Sequence, residues 1–175
     1  MLRRFGSIAE IGNASPDELR GCSLYGETWS ESFIAVRDLL SEGHREAFTR
    51  VPLDSADAAL HRYLRASIGS SKHEIMVAIF ADEAGYVISE EIVGEGDQGS
   101  LQLSLRRIFG KALKVEARRI LLAHNHPSGN SEPSQADVEQ TKALIDQSHR
   151  LGINFEDHLI VGRAHVTSMR ARGLL

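Results

Sequence analysis

Residues 119–137 read Arg119-Ile120-Leu121-Leu122-Ala123-His124-Asn125-His126-Pro127-Ser128-Gly129-Asn130-Ser131-Glu132-Pro133-Ser134-Gln135-Ala136-Asp137. The apolar run from Ile120 to Ala123 predicts a buried strand. Pro127-Ser128-Gly129 predicts a turn, and Ser134 followed three residues later by Asp137 predicts a helix start. Side chains on a strand alternate faces, so His124 and His126 project to one side and Asn125 to the other. Asp137 returns eleven residues after His126, in the first turn of the helix. Two imidazoles and a carboxylate suit zinc with its fourth position left open, and zinc held that way lowers the pKa of a coordinated water to about 7. Ser134-x-x-Asp137 is equally a capping box, which needs no metal.

Outward from this stretch, strands and helices alternate. Glu74-Ile75-Met76-Val77-Ala78-Ile79-Phe80-Ala81 is an apolar run ending at the turn Asp82-Glu83-Ala84-Gly85, and Tyr86-Val87-Ile88-Ser89 opens its hairpin partner. Leu101, Leu103, Leu105, Ile108, Phe109 and Leu113 recur at helical spacing and predict a helix over about 101–115. A further helix from Ser134 carries Val138, Thr141, Leu144, Ile145 and Ser148 on one side and closes at Leu151-Gly152. Phe155 to Val161 is a strand again. The main domain is therefore mixed α/β. The first 50 or so residues read as short helices: one begins at Ser15-Pro16, and a second runs from near Ser30 to Gly43 with Phe33, Ile34, Val36, Leu39 and Leu40 on one face. Pro52 then favours an extended join, and Ser55 caps a helix through Leu64. The domain boundary falls within 48–55, giving a helical segment over 1–50 and an α/β domain over 51–175.

The 175 residues allow one ordinary domain with an appendage. A net charge of -4 argues against nucleic acid as the default ligand. A lone cysteine, Cys22, excludes an intrachain disulfide framework and a multi-cysteine zinc ribbon. No apolar run is long enough for a membrane span, and the N-terminus lacks the apolar stretch of a secretory signal, so the expected location is the cytoplasm.

His124-x-His126, seven residues, then Ser134-x-x-Asp137 resembles the JAMM signature of the JAB/MPN+ metallohydrolases. Within them, AHNHPSGN followed by EPSQAD looks like the bacterial RadC family, and the tail DHLIVGRAHVTSMRARGLL is similar to that family's ending. The likeness runs from about residue 50 to 175. It implies a mixed sheet with flanking helices, like that of the cytidine deaminases, behind a short helical segment. It also implies Zn2+ on His124, His126 and Asp137, an oxyanion role for Ser134, and a glutamate general acid/base on an early strand. Glu74, which opens its strand as a glutamate opens the corresponding RadC strand, is the first candidate. Glu90 and Glu91 on the next strand are the others, and alternation lets only one of those two face the site. Asn125 and Ser128 lie beside the ligands. Asp157-His158 recurs in the RadC tail, and His158 reads as a structural residue outside the metal set.

The segment FGSIAEIGNASPDELRGCSLYGETWSESFIAVRDLLSEG resembles the later half of the helical region that precedes the RadC domain, which in the family carries a helix-hairpin-helix for DNA phosphate. Here the turn reads Gly21-Cys22-Ser23-Leu24-Tyr25-Gly26-Glu27. It lacks a Gly-x-Gly pair, Glu27 stands where phosphate would sit, and the family's earlier helices do not precede it. DNA binding is therefore not expected, and the hairpin reads as a packing or partner surface.

The leading expectation is zinc-dependent hydrolysis of an amide or isopeptide bond in a peptide or protein substrate. The alternative is a DNA-repair-associated RadC protein with a structural or vestigial metal. A metal-free interaction module comes third, and the intact ligand set argues against it. The oligomeric state stays open.

Overall fold

A computed structural model describes residues 2–6, 11, 12, 14, 16–22, 27–69, 71–96 and 104–175. Helices α1 (Leu2–Phe5), α2 (Pro16–Arg20), α3 (Glu27–Thr49) and α4 (Ala58–Ser67) precede the sheet. Then follow β1 (Glu74–Ala81), β2 (Val87–Gly96), α5 (Leu105–Lys114), β3 (Arg119–Asn125), α6 (Gln135–Arg150), β4 (Asn154–Val161) and β5 (Val166–Ser168). The five strands form one mixed sheet in the order β2-β1-β3-β4-β5. β3 and β4 are parallel, and the other pairs are antiparallel. This is the α/β architecture expected from the alternation of periods.

Strand parity assigns the two faces. Met76, Ala78 and Phe80 join Ile120 and Leu122 against Ile108, Phe109 and Ala112 of α5 and Leu144 of α6. Val77, Ile79, Ala81, Leu121 and Ala123 face the other way, onto Phe48 of α3 and Leu60 and Leu64 of α4. With both faces covered, β1 and β3 are almost continuously buried. That is why they read as apolar runs rather than as alternating strands.

Three helices differ in their bounds from the sequence expectation. α3 continues through Gly43 to Thr49, because the extra turns bring Phe48 to full burial with its ring 5.2 Å from that of Tyr63. Burying a phenylalanine is worth about 1.5–3 kcal/mol, more than the ~1 kcal/mol a helical glycine costs. Asp57 rather than Ser55 caps α4, its carboxylate accepting from the amides of Ala59 and Leu60, and the helix runs on to Ser67. α5 begins after its cap Ser104, while Leu101 and Leu103 lie outside the described residues. So do Ser15 and the hairpin residues 23–26; Pro16 does open α2, which buries Leu19. β5 was not expected at all.

β5 and the chain end are tied to β4 through Asp157. Its buried carboxylate accepts from the His158 amide at 2.7 Å, the Arg170 amide at 3.0 Å and the Ser168 hydroxyl. Asp157→Ala would strand these donors. The expected cost is about 3 kcal/mol, seen as a fall of roughly 10 °C in the midpoint of thermal unfolding followed by circular dichroism. A midpoint within about 2 °C of wild type would show that the tail is held by other contacts.

Candidate metal centre

β3, the central strand, delivers His124 at its C-terminal end, with His126 just beyond it. His124 is the last residue of β3 paired to β1, opposite Met76, and Glu74 starts β1 two residues earlier on the same face. After His126 the chain turns sharply: the Gly129 amide donates to the His126 carbonyl at 2.8 Å. Gly129 sits at a φ of 80°, a backbone conformation glycine adopts without a steric cost. The chain then returns at Ser134, which caps α6 in a complete capping box with Asp137.

These paths converge. Among the described residues, Glu74, His124, His126 and Asp137 each offer a ligand atom within 4.8 Å of the others. His124 Nε2 lies 3.0 Å from His126 Nε2, 3.2 Å from Asp137 Oδ1 and 3.4 Å from Glu74 Oε1. His126 Nε2 lies 3.5 Å from Asp137 Oδ2. Ligands about 2.0–2.1 Å from a tetrahedral zinc are separated by about 3.3 Å, so this donor set has the spacing of a first coordination sphere. His124 is fully buried, and the His126 side chain keeps 16% of its surface exposed, so the cage opens past His126.

The donors are also correctly presented. His126 Nδ1 lies 2.9 Å from the Asn130 carbonyl, which only accepts, so Nδ1 carries the proton and Nε2 faces the cage with a lone pair. Burial pushes the Asp137 carboxyl up. The adjoining His124 and His126 imidazoles and the Ser134 hydroxyl outweigh it and hold the group far below the usual carboxylate range. Asp137 in turn raises the His126 imidazole above its ordinary value, against the pull of burial. The carboxylate thus stays charged, which is the state a cation needs.

Asn125 does point away, as parity requires. Its side chain accepts from the Ile75 amide at 2.8 Å and donates to the carbonyls of Ser71 and His73. It therefore straps the start of β1, and with it Glu74, to the strand carrying the histidines. Ser134 Oγ donates to Asp137 Oδ2 at 2.7 Å and accepts from the Asp137 amide at 3.2 Å. Ser128 Oγ accepts from the Asn130 amide inside the turn. Glu90 and Glu91 lie away from the cage. Glu90 is held by Arg45 and Tyr63, while Glu91 pairs with Arg107 and Lys111.

His158, which the sequence predicts to be structural, stands outside the donor group but directly behind His124. It is 1% exposed, and its Nε2 lies 2.8 Å from His124 Nδ1. A bulge puts it there: Ile120 pairs with Phe155 but Leu121 pairs with Asp157, so Glu156 is skipped and the parity of β4 reverses. Bulges beside sites re-aim side chains in this way. Burial and the neighbouring His124 lower the His158 imidazole well below its ordinary value.

Comparison with known proteins agrees with this fold. The family model described as a RadC-like JAB domain matches residues 34–174. A UPF0758 protein of Burkholderia mallei is 31% identical over 173 residues, which is 99% of this chain and 62% of the relative. This chain thus spans less than two thirds of that relative's length. A UPF0758 protein of Leptothrix cholodnii is 31% identical over all of this chain and 79% of its own length. One of Photorhabdus laumondii is 30% identical over 99% of this chain and 75% of its own. Among the described residues no helix is long and apolar enough to cross a membrane. With a JAB-type sheet, a four-residue donor cage and a family match over most of its length, the chain belongs to the family of RadC-like JAB domains.

Proposed function

We propose that this domain is a zinc-dependent hydrolase of amide or isopeptide bonds in peptides or proteins. The observation that carries the reading is the cage itself: His124, His126 and Asp137 at coordination spacing, with Glu74 beside them. When bound, the ion supplies a Lewis acid that polarises a carbonyl and acidifies water. Glu74, 6% exposed at the edge of the cage, takes the proton from the attacking water and delivers it to the departing amine. Asp137 and the two imidazoles fix the centre. Ser134 is the hydroxyl that would donate to the developing oxyanion, exchanging its bond to Asp137 for that one. The test is to load the purified chain with zinc and screen peptide and isopeptide substrates. Hydrolysis that chelation abolishes and zinc restores supports the reading, and a zinc-loaded chain inert across the panel counts against it.

The competing reading, a DNA-associated protein with a structural metal, has the net charge of -4 against it. Sequence-independent binding rests on phosphate neutralisation by cations. Titration of labelled duplex at physiological salt is expected to show weak binding. A Kd at or below about 10⁻⁸ M, in the range of specific complexes, would put the DNA reading first.

A further inference from the structure

We propose that His158 and Thr141 are positioning residues for the metal centre: together they form a one-directional hydrogen-bond relay that locks His124 in the tautomer whose Nε2 lone pair faces the cage. The inference rests on the zinc reading above, but it concerns residues outside the ligand set.

The direction of each bond follows from its end point. Thr141 Oγ1 lies 2.5 Å from the backbone carbonyl of Asp137, one turn earlier in α6. A carbonyl only accepts, so the single hydroxyl proton of Thr141 is committed there. Thr141 Oγ1 also lies 2.6 Å from His158 Nδ1. With its proton spent, the hydroxyl must accept, and His158 Nδ1 must be the donor. In the neutral ring, Nε2 of His158 then has only a lone pair to offer. That lone pair faces His124 Nδ1 at 2.8 Å, so Nδ1 of His124 must carry the proton. The remaining nitrogen of His124, Nε2, is left as a lone pair 3.0 Å from that of His126 and 3.2 Å from Asp137 Oδ1. Every step is forced by the one before it.

The surroundings favour the relay: the other acceptor near the Thr141 hydroxyl, the Met169 sulfur at 3.9 Å, is weaker and more distant than the Asp137 carbonyl. Thr141 and His158 are each 1% exposed and His124 is fully buried, so water does not compete for these bonds. The relay starts at the main chain of one ligand residue, Asp137, and ends at the ring of another, His124. It crosses from α6 to β4 to β3 and ties the orientation of the helix to the protonation pattern of the strand. His126 achieves the same result by a shorter route, through the Asn130 carbonyl. Each imidazole of the cage is thus oriented by its own outer partner, and such partners typically govern metal affinity by 10–100-fold.

Two measurements test this. In the zinc-loaded wild-type chain, nitrogen-15 NMR of the imidazoles should show both His158 and His124 protonated at Nδ1. A His158 protonated at Nε2 would overturn the relay outright, whatever any variant does. Zinc affinity is then measured by chelator competition. Thr141→Val keeps the shape but removes the acceptor, and is expected to lower affinity about 10-fold or more. Thr141→Ser should restore it. His158→Phe should lose affinity on the same scale, while His158→Gln, whose Oε1 can accept from His124 Nδ1, should recover much of it. Wild-type affinity in both Thr141→Val and His158→Phe would overturn the proposal. Failure of the wild-type chain itself to bind zinc would instead defeat the zinc reading on which this one rests, so the two failures are distinguishable.

Discussion

Glu74→Gln is expected to keep zinc at about one ion per chain while turnover falls by about 10²–10⁴-fold, the usual range for losing a positioned proton-transfer group. The substitution keeps the side chain's size and its ability to accept one hydrogen bond, but not its basicity. Glu74 Oε1 stands 3.4 Å from His124 Nε2, close enough to be either the proton carrier beside an open coordination position or a fourth ligand that closes it. Those two roles have opposite consequences. A closed four-ligand shell is the mark of a structural zinc, and three protein ligands with a free position mark a catalytic one. Elemental analysis and steady-state turnover on a substrate found in the screen therefore decide between the hydrolase and the structural-metal reading. Zinc loss in Glu74→Gln would make Glu74 a ligand and favour the structural reading. The same substitution at Glu91, which is tied to Arg107 and Lys111 of α5, should change turnover little.

The parts of this site that could be read from the chain are those governed by local periodicity. His124, Asn125 and His126 alternate because strands have a period of two, and Ser134 with Asp137 starts a helix because that pairing caps one. Both inferences need only neighbours in sequence, and both are matched by the positions of these residues. The sheet followed in the same way from buried apolar runs between turn signals. What escaped was set by tertiary structure. The end of α3 depends on Phe48 finding Tyr63 rather than on Gly43. The place of His158 depends on a single skipped residue, Glu156, in its pairing with β3. In an unbulged strand, a residue three positions after Phe155 would point to the opposite face from it. With the bulge, both lie on the face that carries His124. No periodicity in Asn154–Val161 signals that reversal. Thr141 was legible as a buried position on α6, but a threonine on the core side of a helix gives no hint that its hydroxyl lies between the Asp137 carbonyl and a histidine.

His126→Ala should abolish stoichiometric zinc binding. The remaining set would hold one imidazole and the Asp137 carboxylate, with Glu74 at the edge, and would lose the donor that lines the opening of the cage. Full retention of zinc in this variant would refute the ligand assignment, because His124 would then be the one imidazole left facing the cage among the described residues. The wild-type site should also respond to pH with a definite sign. Zinc binds the deprotonated imidazole, so protons compete with it. Asp137 raises the His126 imidazole above its ordinary value of 6.5, so this ring holds its cage-facing proton to a higher pH than a free histidine does. Apparent zinc affinity should therefore begin to fall above pH 6.5 as the solution is acidified, by up to about tenfold per unit for that one proton. The low-lying Asp137 carboxyl contributes no loss in this window, because it stays ionised well below it. Chelator competition between about pH 5.5 and 8 reads the dependence directly, over the range where imidazole titrates. Asp137→Asn removes the charge that raises His126. Its residual zinc binding, although weaker throughout, should begin to fall only at a lower pH than in wild type. An unchanged pH midpoint in Asp137→Asn would show that the competing proton sits on a group other than His126.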